Sequence, residues 1–197
     1  MAALLPAAPL RTSRYYWSGW FGDQGNQSSC VGFSWIHWLV SGPTTQVSQD
    51  WDTYARLTYL EAQKVDEWDG ENYEGTSVRA GAKALQAEGY ISEYRWAFTA
   101  DEVVRAVLDV GPVVVGTWWT EAMFTPDSKG FIKPDGAMAG GHAYLIEGAN
   151  IDRGVVRIKN SWGRGWGRFG RANMTIAHLA HLMDMEGEAT LATEIRR

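Results

Sequence analysis

The chain has 197 residues, 18 Lys+Arg against 23 Asp+Glu for a formal net charge of −5, and 45% hydrophobic residues. That length fits one domain, here with two lobes around a cleft, and the balanced composition excludes disorder, collagen-like repeats and a coiled coil. The acidic balance speaks against a nucleic-acid binder, no apolar run reaches the ~18 residues of a membrane span, and a single cysteine excludes an intramolecular disulfide and a zinc finger. One cysteine also points to a reducing compartment, so the expected location is cytoplasmic. Residues 1–10 are apolar but short, broken by Pro6 and Pro9, and followed rather than preceded by positive charge, the wrong polarity for a signal peptide.

Tyr15, Tyr16, Trp17, Trp20 and Phe21 suggest a ring-rich platform, followed by a loop over residues 22–29 in which Ser28 or Ser29 can cap a helix. Residues 30–40 are apolar on nearly every face and predict a central, buried helix ended by Gly42-Pro43. A second helix is expected from Ser48, with Trp51, Tyr54, Leu57 and Leu60 as its stripe. An acidic loop with Asp66, Glu67, Asp69, Glu71 and Glu74 comes next, then a third helix from Ser77 with Val78, Ala82 and Leu85 on one face, stopping at Gly89. Thr99-Ala-Asp-Glu102 is a capping box that opens a short helix through Val103, Val104, Val107 and Leu108. Beyond Gly111-Pro112 the pattern turns to strands at 113–119, 143–147 and 155–159, the last two joined by a turn over 150–154, and closes with a short helix over 175–185. Helices first and strands second imply an α+β protein with a helical lobe over about 10–111 and a β-rich lobe over about 112–197.

Cys30 sits at the expected start of a helix, where unpaired N–H groups and partial positive charge favour a thiolate. A thiolate nucleophile needs an acid to protonate the leaving group, and among four histidines only His142 opens a strand behind a Gly140-Gly141 turn. The hairpin then delivers Asn160, whose amide can fix one imidazole nitrogen. Taken singly, a lone Cys is a small buried hydrophobe and a lone His or Asn a structural residue; the chemistry is carried by the order Gln24, Cys30, His142, Asn160.

Asp23-Gln-Gly-Asn-Gln-Ser-Ser-Cys30, Gly141-His-Ala143 and Asn160-Ser-Trp-Gly-Arg-Gly-Trp-Gly167 resemble the three signature blocks of papain-like cysteine peptidases, a likeness that spans about residues 20–170. The resemblance implies a papain-like two-lobed fold with a Cys-bearing central helix and a β-barrel-like second lobe. It implies hydrolysis of peptide bonds without metal or organic cofactor, on peptide or protein substrates, with no nucleic-acid or membrane partner. By position, Cys30 matches the nucleophile, His142 the acid/base, Asn160 the residue orienting it, and Trp162 the indole shielding that bond. Gln24 matches the side-chain donor of the oxyanion hole, with the Cys30 N–H as the second donor. Gly75 matches a glycine whose backbone pairs with extended substrate, and Gly141 stands where Asp or Asn is frequent.

Where the family usually has Cys-Gly-Ser-Cys-Trp, this chain reads Gln27-Ser-Ser-Cys-Val31, so the first cysteine, a disulfide partner in secreted members, is absent. His142 and Asn160 follow Cys30 by 112 and 130 residues, which suggests trimmed loops, and 29 residues before the thiol leave no room for an inhibitory propeptide. These departures suggest a bacterial or viral intracellular member. His37 is too far along the helix to pair with the thiol and is expected to be structural. His178, His181 and Asp184 have a spacing that could begin a metal site, with no further ligands to complete one. The acidic loop reads as solvated surface at the rim of the cleft, with a preference for basic or extended substrates, and Glu186 and Glu188 are candidates for a specificity pocket. Two rivals remain open: a transglutaminase-like Cys-His acyl transferase, and a binding module that keeps only the shell.

Overall fold

The segment that is apolar on every side becomes the central helix. Helix α1 spans Cys30–Ser41 and buries every residue after Cys30. The computed structural model describes residues 9–42, 50–67 and 74–194. Helix α2 (Trp51–Lys64) is capped by Asp50, whose side chain accepts the Thr53 N–H; the expected start at Ser48 and the stop at Pro43 lie outside the described residues. Its stripe differs from the expectation. Leu57 and Leu60 are about half exposed, while Ala55, Thr58, Tyr59 and Ala62 form the buried face. The reason is close helix packing: a Cβ on Gly32 of α1 would lie 2.1 Å from the Ala55 carbonyl oxygen, so only small residues fit between the two axes.

Helix α3 (Val78–Ala87) starts at Ser77, which accepts the Ala80 N–H, and ends before Gly89 at φ +77°. Helix α4 (Ala100–Asp109) has the expected cap, with the Glu102 N–H on Thr99 Oγ1 at 3.2 Å. The return half differs, because Glu102 Oε2 takes the Phe98 N–H, one residue before the cap. Helix α5 (Ile176–Asp184) is capped by Thr175.

The strands are β1 (Ser13–Tyr15), β2 (Ile91–Ala97), β3 (Val113–Thr120), β4 (Met138–Asn150), β5 (Val155–Lys159), β6 (Arg171–Thr175) and β7 (Glu188–Glu194). They form one antiparallel sheet in the order β2-β7-β3-β4-β5-β6, with β1 also paired to β4. Both faces of the sheet are covered, and side chains alternate between them. Val114, Ala143, Leu145 and Ala192 meet α1 and α3 in one core, whereas Val113, Val115, Tyr144 and Ile146 meet α4 and α5 in the other. Strand β1 and helix α4 thus belong with the second core although both precede Gly111.

The aromatic N-terminal segment is bound down as a strap. Lys159 is fully buried and donates to the carbonyls of Ser18 and Trp20 and to Ser18 Oγ. Arg157 lies over the Tyr15 ring and Arg171 over Trp17, each guanidinium carbon 4.4 Å from the centroid, and both pair with buried Glu147. The strap leads into residues 22–29, which carry Gln24 to the thiol.

Candidate active site

Cys30 is the first residue of α1, so its N–H has no intrahelical acceptor. Neither expected serine caps the helix. Ser29 stands at the cap position without a side-chain bond, and Ser28 Oγ donates to Glu74 at 2.8 Å instead. The thiol sulfur accepts the N–H of Ala143 at 3.4 Å, which ties the start of α1 to the strand residue next to His142.

Across the sheet His142 stands opposite Thr117 of β3. Its Nε2 meets Asn160 Oδ1 at 2.7 Å, leaving Nδ1 as the other nitrogen. Asn160 Oδ1 also accepts the Ser161 N–H at 2.8 Å, so the amide oxygen is fixed from two sides. Aromatic rings wall off this bond. Trp162 stacks on the imidazole with centroids 4.8 Å apart and planes 30° apart, and Trp119 meets it edge-on, also at 4.8 Å. Phe124 covers the other side of Trp162 in a parallel stack at 5.3 Å. The sequence singles out Trp162; Trp119 and Phe124 join the site only because the β3–β4 pairing and the 3-10 turn at Glu121–Phe124 bring them back over it.

Burial acts on both ionisable groups. It pushes the Cys30 thiol up, against the lowering effect of the Ala143, Val31 and Cys30 N–H groups. It pushes His142 down to about 4, against the Asn160 hydrogen bond. The N–H groups at the helix end thus act in the expected direction, with burial opposing them. Desolvation outweighs the N–H groups.

Gln24 is held at both ends of its amide. Oε1 accepts the Ser161 hydroxyl at 2.5 Å, and Nε2 donates one hydrogen to the Gln27 carbonyl at 2.8 Å, which leaves the second hydrogen on that nitrogen. His37 supports the same loop: buried on α1, it accepts the Gly22 N–H on Nε2 at 3.3 Å.

Gln24, Cys30, Gly75, Gly141 and His142 line one cavity of about 660 Å³ that runs between the start of α1 and the paired strands β3 and β4. Both backbone groups of Gly75 are occupied within the protein, its N–H on Tyr59 Oη and its carbonyl on Gln63 Nε2, each at 3.2 Å. A Cβ on Gly141 would meet nothing within 4 Å, whereas at Gly116 it would crowd Val78 and Glu188, so Gly116 is the tighter of these two lining positions. Glu74, Glu186 and Glu188 put three acidic residues in the lining, and burial raises the Glu188 carboxyl above its usual range. The acidic loop is only partly surface. Glu67 pairs with Arg79 and Lys83, but Asp66 accepts from Thr76 Oγ1 and the Ser77 N–H; Asp69 and Glu71 lie outside the described residues. Among the described residues no cluster of three or more His, Cys, Asp or Glu, at His178 and His181 or elsewhere, is placed to hold a metal ion.

The family model for papain family cysteine proteases matches residues 45–192. No curated protein sequence matches the chain. Among solved structures, xylellain, a cysteine protease from Xylella fastidiosa, superposes with a TM-score of 0.72 at 18% identity, covering 98% of this chain and 88% of its own. The bromelain protease of Ananas comosus, solved with the E64 inhibitor, gives 0.67 at 14% identity over 93% and 99%. Procathepsin L 3 from the larval midgut of Tenebrio molitor gives 0.65 at 17% identity over 95% and 71%.

Proposed function

Because the chain belongs to the papain family of cysteine proteases, and is thus a cysteine-type peptidase, we propose that it cleaves peptide bonds through an acyl-thioester on Cys30, using His142, Asn160 and Gln24, within a single catalytic domain of two lobes. The observation that carries this is the junction of α1 and β4. The Cys30 sulfur takes the Ala143 N–H, while the adjoining His142 is locked to Asn160 beneath Trp162. Asn160 leaves the imidazole one working nitrogen, Nδ1.

In the first step His142 Nδ1 takes the thiol proton and the sulfur attacks the scissile carbonyl carbon. The carbonyl oxygen gains the charge and meets the Cys30 N–H and the second hydrogen of Gln24 Nε2. As the carbonyl re-forms, the C–N bond breaks and His142 gives its proton to the leaving amine. Water then attacks the thioester, His142 takes its proton, and the acid leaves as the thiol is restored. Burial opposes a lone charge on either the sulfur or the imidazole, and the same low-dielectric surroundings strengthen the attraction between the two when both are charged.

The substrate is a peptide extended along the cavity. With Gly75 engaged internally, the backbone of the next residue, Thr76, which also lines the cavity, is the better partner for a substrate strand. Glu74, Glu186 and Glu188 in the lining favour a substrate with basic side chains. A peptidyl epoxide should label Cys30 with one equivalent and abolish hydrolysis of a peptide library. Retained cleavage by Cys30→Ala would end the proposal, and transfer of the acyl group to amines in preference to water would favour the transferase reading.

A further inference from the structure

One side chain that takes no part in these steps makes three hydrogen bonds to the loop leading to the thiol. Arg56, on α2, donates from Nη1 to the Gln24 carbonyl at 3.3 Å and to Gln27 Oε1 at 2.5 Å, and from Nη2 to the Asp23 carbonyl at 3.2 Å. Its guanidinium also lies over the Phe33 ring of α1, 5.3 Å from the centroid. It therefore bridges α2, α1 and the loop. The base from which it reaches is stiff, since the neighbouring Ala55 is fully buried and its carbonyl abuts Gly32.

The grip falls on the residue that controls the Gln24 amide. The Gln27 carbonyl holds one Nε2 hydrogen of Gln24, and Gln24 Oε1 is held by Ser161. Released from Gln27, the amide could turn, and its second hydrogen would turn with it. Arg56 touches neither that amide nor the cavity, so its effect is indirect. Gln27 also stands where the family's usual signature has its first cysteine, a disulfide partner in secreted members. A planar guanidinium fork can restrain the same stretch of chain with no oxidation.

We infer that Arg56 is a positioning residue for the oxyanion hole, holding Gln27 and the Gln24 backbone so that the free Nε2 hydrogen of Gln24 stays beside Cys30. The inference rests on the proposed peptidase reaction, so hydrolysis by the unmodified protein, and its fall to a slower but measurable rate in Gln24→Ala, are measured first; failure there strikes the reaction and not Arg56. The test compares Arg56→Met, Arg56→Lys, Gln24→Ala and the Arg56→Met/Gln24→Ala double variant. For each, kcat and KM are measured on a peptide amide. The rate of Cys30 alkylation by iodoacetamide is measured beside them, because that reaction forms an S–C bond, releases iodide and builds no oxyanion.

Arg56→Met should lower kcat about tenfold, a fraction of the ~10²–10³ expected for removing an oxyanion donor outright. KM and the alkylation rate should stay within about twofold of wild type, since the grip acts on the donor and not on the thiol. Arg56→Lys should recover only part of the loss, because an ammonium lacks the fork. In the Gln24→Ala background Arg56→Met should have no further effect. If alkylation falls in step with kcat, or if Arg56→Met costs the same factor with and without Gln24, the role is merely structural and the inference is overturned. Should Arg56→Met not fold, the same two comparisons are made with Arg56→Lys.

Discussion

Gly32→Ala adds one methyl group where α1 and α2 touch. The new Cβ would stand 2.1 Å from the Ala55 carbonyl oxygen and 2.9 Å from both the Tyr59 nitrogen and its Cβ. A carbon–oxygen contact settles near ~3.3 Å, so the helices must separate by about 1 Å. Two of the three obstructing atoms are backbone, and no side-chain rotation relieves them. Overpacking of this kind costs about 1–3 kcal/mol, which in a chain of 150–250 residues lowers Tm by about 2–4 °C per kcal/mol. The larger effect should be on turnover. Arg56 follows Ala55 and Cys30 precedes Gly32 by two residues, so the separation draws the Gln27 anchor and the thiol apart. Misplacement of about 1 Å at a reacting centre can cost about 10²-fold. Thermal unfolding and kcat/KM of Gly32→Ala would be measured against Gly19→Ala, where an added Cβ meets nothing within 4 Å. Wild-type Tm and wild-type kcat/KM in Gly32→Ala would refute the packing argument.

Three further predictions concern charge and capping. Lys159 is pushed down to about 7 chiefly by burial, helped by Arg171 and Arg157 and opposed by Glu147. The unfolded chain therefore holds the extra proton between about pH 7 and pH 10, and in that window this lysine makes stability rise with pH. Lys159→Met should remove that slope, read as the difference between variant and wild type in denaturant unfolding at pH 7 and 9.5; parallel slopes would refute the assignment. Glu188→Gln should reduce kcat/KM for library peptides with Lys or Arg more than for neutral ones, and an equal loss across the library would separate Glu188 from specificity. Thr99→Ala removes the hydroxyl that accepts the Glu102 N–H and should destabilise by about 1 kcal/mol, seen as a Tm lower by a few degrees with kcat unchanged.

What the sequence reveals depends on how local the signal is. Helix α1 is legible because eleven successive buried residues leave no polar face, and the cap at Thr99 is legible because donor and acceptor lie three residues apart. The stripe of α2 is misread because large Leu57 and Leu60 face outward, while the helix contact demands small residues opposite Gly32. Strands β2, β6 and β7 carry no continuous apolar run; Glu93, Arg95 and Asn173 interrupt them, and they become strands only beside their partners. The ordered blocks around Cys30, His142 and Asn160 stand out, but the walls of the site do not. Arg56 is 32 residues from Gln24, and nothing in a surface-like arginine on a polar helix announces the loop it holds.

Strand β7 is paired on one side with β2 and on the other with β3, and these two strands share no ladder among the described residues. A ribosome therefore releases β2 about 90 residues, and β3 about 70 residues, before the strand that must fit between them. Until β7 arrives the two exposed edges can bond only to water or to a wrong partner, and the cavity lacks the wall formed by Glu188. Such late, long-range closure makes folding slow. It also gives the nascent chain a timing of its own, with the nucleophile Cys30 made well over a hundred residues before the strand that completes the substrate cavity.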